Sequence, residues 1–234
     1  MPKHLVSATI CDNSVCEMFE RNTKIFLATQ LTHSLIFTIP IWIVFYQQYI
    51  TPSQLAVIVM LSYAVQMIME LPSGALADLI GRRTTMIISF LLGAISYLMI
   101  PFGTSYMYFI IVNIIIGISD SFRSGAEEAI LYDTYKEKDS HEFEKVNSKG
   151  NLVYQTGLIV GTISGGLLYS VNVYIPFVFY GLSLLVGFVL TFFYIEPHID
   201  SEKFTLSNYI KQIKVGTKEV FKDKLTTYTS LFYI

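Results

Sequence analysis

Residues 74–102 read GALADLIGRRTTMIISFLLGAISYLMIPF. An acid, Asp78, stands four positions ahead of the basic pair Arg82 and Arg83, glycines occupy 74 and 81, and the whole of 84–102 follows without a charge. A helix rising 1.5 Å per residue needs about 20 such residues to cross the ~30 Å hydrocarbon layer of a bilayer. The uncharged run therefore reads as a membrane-spanning helix, and the acid and bases before it as the polar turn between two spans.

Outward from this stretch, the same length criterion finds five more segments, at 25–46, 54–71, 106–132, 152–171 and 174–194. Pro52, the run Pro72-Ser73-Gly74, Gly103 and Pro197 punctuate them. The first, third, fifth and sixth spans hold no Asp, Glu, Lys or Arg. With 53% apolar and 15% charged residues and a mean hydropathy of +0.51, the 234-residue chain has too little polar surface to enclose a water-soluble core. The expected fold class is an all-α membrane protein with six transmembrane helices and the lipid bilayer as its solvent. The balance of 16 Lys and Arg against 18 Asp and Glu offers no basic excess for nucleic acid.

Charge placement predicts orientation. All of the 16 basic residues except Arg123 fall before the first span, between the second and third, between the fourth and fifth, or after the sixth. The opposite connections, 47–53, 103–105 and 172–173, carry no charge. Basic residues gather on the cytoplasmic side, so both ends of the bundle are expected there, in a bacterial-type plasma membrane. This divides the chain into a cytoplasmic segment at 1–24, the six-helix bundle at 25–195, a cytoplasmic linker at 196–224 and a second apolar stretch at 225–234. Within the linker, apolar residues alternate with lysines over 204–224, as in a helix lying on the inner leaflet or an exposed basic linker interrupted by Gly216. Cys11 and Cys16 have no second ligand pair nearby and read as free thiols. Met18 opens a short charged lead into the first span and is a candidate start; N-terminal sequencing that recovers Met1 or Pro2 excludes it.

The turn at 74–83 carries more than a positive-inside bias. Asp78 is suited to accept from unpaired N–H groups at a helix start, and Arg82 to bridge carboxylates on neighbouring helices. Gly74, Leu76, Ala77, Asp78, Gly81, Arg82 and Arg83 match the pattern G-x-L-A-D-[RK]-x-G-R-[RK] between helices 2 and 3 of the major facilitator superfamily of secondary transporters, which this chain resembles. Leu79 stands where that family usually has a basic residue. The resemblance implies that Asp78 and Arg82 lock one side of the bundle by pairing with an acid at the end of helix 4, and Asp133 occupies that place. It also implies two six-helix halves around a central site. The segment 225–234 then reads as the start of a seventh helix, and a second half, or a second copy, as the partner that completes the transporter.

The fourth span ends in DSFRSGAEEAILYD, residues 120–133. Asp120 lies about 20 Å from Asp133 along a helix axis, deep in the membrane. Ionisable groups at that depth are functional candidates by default. Asp120, Arg123 and Glu127 share one face by their i,i+3 and i,i+4 spacing. One reading is a structural ion-pair cluster. The other uses the surplus of acid over base: Asp120 or Glu127 exchanges a proton as access alternates. Glu128 is expected to face a neighbouring loop or helix, and Glu70 before Pro72 is a secondary candidate.

The fifth span contains Gly157-x3-Gly161-Thr162-x2-Gly165-Gly166, a small-residue stripe that lets another helix approach. Its spacing also resembles the antiporter signature G-x3-G-P-x2-G-G of drug-exporting facilitators, with Thr162 in place of proline, which implies efflux. Gln30, His33, Tyr63, Gln66, Asn113 and Gln155, polar within apolar spans, are candidates for the substrate pathway. The chain has no G-x4-G-K-[ST], H-E-x-x-H or G-x-S-x-G pattern. Neither ATP-driven pumping nor an intramembrane enzyme is expected, and no cofactor or metal. The expected function is proton-coupled transport of a small molecule, as multidrug-like efflux. The alternatives are nutrient uptake by the same machinery, and a non-transporting scaffold or inactive half-transporter.

Overall fold

The computed structural model describes residues 13–136, 140–196 and 209–210. Cys11, the side chain of Cys16, nearly all of the 204–224 segment and the 225–234 stretch lie outside the described residues.

Helix α3, Pro52–Ile80, opens on a capping box in which Thr51 Oγ1 accepts from the Gln54 amide and Gln54 Oε1 from the Thr51 amide. It does not stop at Pro72, where the sequence reading places a break. It runs on to Ile80, so the stretch read as a loop is helical, and the turn contracts to Gly81 at φ +96° before α4, Arg82–Met99. Proline removes a donor from the helix interior, which in a membrane is tolerated where side chains re-satisfy the backbone. The Ser73 hydroxyl lies 2.9 Å from Glu70 O and 3.0 Å from Ser121 O, tying α3 to α5, Tyr106–Tyr135.

The first span also departs from expectation, because 25–46 is not one helix. Helix α1 covers Asn13–Ser34, residues 35–41 are unwound, and a short α2 follows at Trp42–Tyr46. Pro40 is the local cause, since it cannot donate and disfavours helical backbone in the residue before it. Unwinding in hydrocarbon requires that the freed backbone groups find partners. Ile36 N donates to Ser34 O at 2.7 Å and Phe37 N to Leu35 O at 2.9 Å. The last carbonyls of α1 are met from α7, Ile175–Thr191: Ser183 Oγ donates to Thr32 O at 2.7 Å and Tyr180 OH to His33 O at 3.2 Å.

The glycine stripe on α6, Ser140–Val171, faces the end of α1 and the unwound segment that follows it. A Cβ at Gly161 would lie 2.8 Å from Ile36 N and 2.9 Å from the Leu35 carbonyl carbon; at Gly157 it would meet Ser34 Oγ, and at Gly165 the Phe37 carbonyl oxygen. Gly166 takes no part, with nothing within 4 Å.

Around these features α5 packs against α3 and α4, α4 against α7, and α1 against α6 and α7. Phe45, Phe109 and Phe177 centre one apolar cluster at the uncharged end, Phe26, Ile130 and Leu131 another at the basic end, and Met86, Phe90 and Ala126 a third between them. Pro52–Ile80, Arg82–Phe102, Tyr106–Tyr135 and His141–Val171 are long and apolar enough to cross a membrane, and Ile175–Thr191 is a shorter apolar helix. Met60, Met67 and Ile68 on α3 and Leu152, Ile163 and Leu167 on α6 are exposed, as lipid or an apolar partner permits and water does not.

Candidate functional site: a buried charge cluster between two cavities

Asn113, Asp120 and Glu127 recur every seven residues along α5, close to two helical turns, and so project toward one side. Arg123 Nη1 donates to Glu127 Oε2; the Glu127 side chain is buried at 7% exposure and that of Arg123 is half-buried. Among the described residues, Arg123 Nε and Glu127 Oε1 have no hydrogen-bond partner. Opposite them, at the end of α1, the His33 ring stacks on Tyr154 of α6 at 5.9 Å and meets Phe90 of α4 edge-on at 6.5 Å. His33 Nδ1 also lacks a partner.

A small cavity of about 10 Å³ lies among His33, Ser89, Tyr97, Ser119, Asp120 and Arg123. Two larger ones flank it. Toward the uncharged end, a cavity of about 310 Å³ is lined by Trp42, Tyr46, Tyr63, Gln66, Asn113 and Asp120. Toward the basic end, a cavity of about 380 Å³ is lined by Gln30, Arg123, Glu127, Glu128, Asn147 and Tyr154. Asp120 thus belongs to the first cavity and Arg123 to the second, and both bound the small space between.

Of the residues singled out for the pathway, Tyr63, Gln66 and Asn113 line the first cavity, where Asn113 Nδ2 donates to Tyr46 OH at 2.9 Å. Gln30 lines the second and His33 the partition. Gln155 is exposed on α6, and Glu70 is half-buried on α3; neither lines any of these three cavities. Glu128 is exposed and lines the basic-end cavity.

At the basic end Asp78, Arg82 and Asp133 lie together. Arg82 Nη2 lies 2.7 Å from Asp78 Oδ1, and Arg82 Nε lies 3.3 Å from Asp133 Oδ2, so one guanidinium bridges the ends of α3 and α5. Gly74 is half-buried beside the Ser73 bridge, where Gly125 of α5 packs close to its backbone. Leu79 is buried at 6% exposure, which explains an apolar side chain at that position of the motif.

The sequence reading missed two members of this end. Glu196, just past α7, accepts from the Arg82 amide at 2.7 Å and the Arg83 amide at 2.9 Å, capping α4 with a carboxylate where the helix dipole favours one. It lies so close to Gly81 that a Cβ there would stand 3.0 Å from its oxygen. Asn22 of α1 donates to Thr134 Oγ1 at 3.0 Å and Ile195 O at 2.9 Å, and accepts from Ile195 N at 2.9 Å. Arg83 Nη2 reaches Phe192 O at 2.5 Å and Arg21 Nε reaches Phe193 O at 2.8 Å. An acid directly after the sixth span, on the side of the basic turn, was the available signal for Glu196. Replacing Glu196 by Ala leaves two helix-start amides without their acceptor and is expected to cost about 1–2 kcal/mol, with Gln recovering part. Thermal unfolding of the detergent-solubilised protein measures it; a midpoint unchanged in Glu196→Ala contradicts the cap.

Comparison with known proteins agrees with this architecture. A family model described as Major Facilitator Superfamily matches residues 25–234. The chain is 31% identical over 169 residues to an uncharacterized MFS-type transporter, YxaM, of Bacillus subtilis (strain 168), covering 68% of this chain and 40% of that protein. It is 28% identical over 130 residues to the class H tetracycline resistance protein of Pasteurella multocida, covering 55% and 32%. It is 25% identical over 162 residues to the quinolone resistance protein NorA of Staphylococcus aureus, covering 69% and 40%. The chain thus spans about two-fifths or less of the length of these relatives.

Proposed function

Since this chain belongs to the major facilitator superfamily, we propose that it forms the N-terminal six-helix unit of a proton-coupled exporter of small molecules. The observation that carries this reading is the placement of half-buried Asp120 and buried Glu127 on either side of Arg123, between cavities that lie toward opposite ends of the bundle. Acids held at mid-membrane depth serve a proton-exchanging transporter and no obvious scaffold purpose. Alternating access requires a second six-helix unit, and the exposed apolar faces of α3 and α6 are where it docks. The basic end faces the cytoplasm of a bacterial-type cell, by the positive-inside bias.

Efflux is favoured over uptake by the glycine pattern on α6 and by relatives named for resistance to tetracycline and quinolones. The uncharged-end cavity, with Trp42, Tyr46, Tyr63 and Asp120 on its walls, suits a flat amphiphilic compound.

The test is substrate movement into inside-out vesicles under an imposed proton gradient. Asp120→Asn and Glu127→Gln are each expected to reduce gradient-driven transport roughly 10²-fold while leaving the protein folded. Full transport with unaltered gradient dependence in both variants overturns the reading.

A further inference from the structure

The two large cavities stop on either side of one guanidinium. Arg123 walls both the small cavity it shares with Asp120 and His33 and the basic-end cavity it shares with Glu127. We propose that Arg123 is a charge barrier that keeps this six-helix unit proton-tight, separating a proton-accessible Asp120–His33 pair from a proton-accessible Glu127. The proposal rests on the reading of Asp120 and Glu127 as proton-exchanging groups.

Groups able to pass a proton are present almost without interruption. Asp120 reaches the uncharged-end cavity and also bounds the 10 Å³ space, which has room for one water molecule. His33 bounds that same space, is 8% exposed, and has Nδ1 without a partner among the described residues. A proton arriving on the Asp120 carboxylate can pass to a water there, whose own proton goes to His33 Nδ1. The carboxylate is thereby restored and the imidazole becomes imidazolium. On the far side, Glu127 lines the basic-end cavity with Glu128, and its Oε1 has no partner among the described residues. The remaining titratable groups at the partition are phenols: Tyr97 of α4, Tyr154 of α6 and Tyr180 of α7. None of them is a fixed cation. Arg123 is the one permanent positive charge bounding the small cavity.

A fixed cation at a constriction opposes hydronium and imidazolium alike, as arginine does in pores that exclude protons. Two like charges about 4 Å apart, at the effective dielectric of a protein interior, disfavour each other by a factor of about 10³. Coupling then requires that Arg123 shift with the conformational change, and the resting unit does not leak.

The experiment measures proton entry into liposomes holding a pH-sensitive dye, with no substrate, under a potassium-valinomycin potential. The protein is purified as its host makes it. Removing the arginine alone would leave Glu127 buried and unpaired, so the test variant is Arg123→Gln/Glu127→Gln. Wild type, Glu127→Gln and Arg123→Lys are expected to be as tight as empty liposomes. The double variant is expected to admit protons roughly ten- to hundredfold faster. Adding Asp120→Asn or His33→Ala to it is expected to return the rate to baseline.

A double variant that reconstitutes as a monodisperse protein and stays tight overturns the proposal. So does a leak that persists without Asp120 and His33, or one that Arg123→Lys reproduces, because then packing rather than charge forms the seal. The outcome is separable from the transport reading. Wild-type substrate transport indifferent to the proton gradient defeats that reading, whatever the double variant leaks.

Discussion

Arg123→Ala is expected to lower the stability of the bundle by about 3–5 kcal/mol, the cost of leaving a buried carboxylate without its cation. Glu127 is 6% exposed, and among the described residues Arg123 is its ion-pair partner. Replacing both members, as Arg123→Met/Glu127→Leu, is expected to recover most of that loss, since the pair's mutual attraction and its two desolvation penalties roughly cancel. The measurement is a double-mutant cycle on thermal or denaturant unfolding in lipid–detergent micelles. If the single and double variants are equally destabilised, the loss is one of packing and the pair has no special energetic role. If the double variant is stable but transport is lost, the cluster is retained for proton exchange and not for folding. That result decides between the two readings of Asp120, Arg123 and Glu127 that their spacing alone left open.

Gly161→Val is expected to give no monodisperse protein. The added Cβ would meet Ile36 N at 2.8 Å and Leu35 C at 2.9 Å, and these are backbone atoms that cannot rotate away. Helix α6 must therefore lift from the unwound segment, exposing backbone groups that hydrocarbon does not satisfy, at a cost above about 3 kcal/mol. Gly157→Ala is expected to be milder because the obstructing Ser34 hydroxyl belongs to a side chain that can turn. Gly166→Val, with open space around it, is expected to behave as wild type. Size-exclusion profiles of fluorescently tagged variants rank the three. A Gly161→Val protein as well behaved as Gly166→Val refutes the placement of the unwound segment against α6.

Much of the molecule is legible without its structure because the signals are local. Uncharged runs report spans, the positions of lysine and arginine report which ends lie together, and the motif at 74–83 marks the junction of two helices. Asp133 illustrates the limit of that success: its pairing with Arg82 was expected from the family resemblance and is present at 3.3 Å. Glu196, which binds the same turn through backbone amides, was not expected. Its partners lie more than a hundred residues away, and they are N–H groups that every residue but proline carries, so no side-chain pattern announces them. His33 is an intermediate case. It stands out in the sequence as polar within an apolar span, but only the assembled bundle sets it beside Asp120 and Arg123 at the partition between two cavities.

The two prolines mark the boundary between what is local and what is not. Pro40 and Pro72 present the same local defect, a missing donor and a fixed φ. Sequence-level rules place a break at Pro72 and none at Pro40, and the structure reverses both. At Pro72 the helix continues, and the Ser73 hydroxyl holds this stretch against the Ser121 carbonyl of α5. At Pro40 the chain unwinds because α7 supplies hydroxyls for the carbonyls of α1 and the glycines of α6 leave room for bare backbone. Hydropathy, charge placement and motif spacing thus determine that the chain spans a membrane, how many times it approaches doing so, and which ends gather. Where the first span opens, which carboxylate meets which base, and where the cavities stop are decided by tertiary contacts, because in hydrocarbon a backbone group can leave its helix only where a distant residue is waiting to bond it.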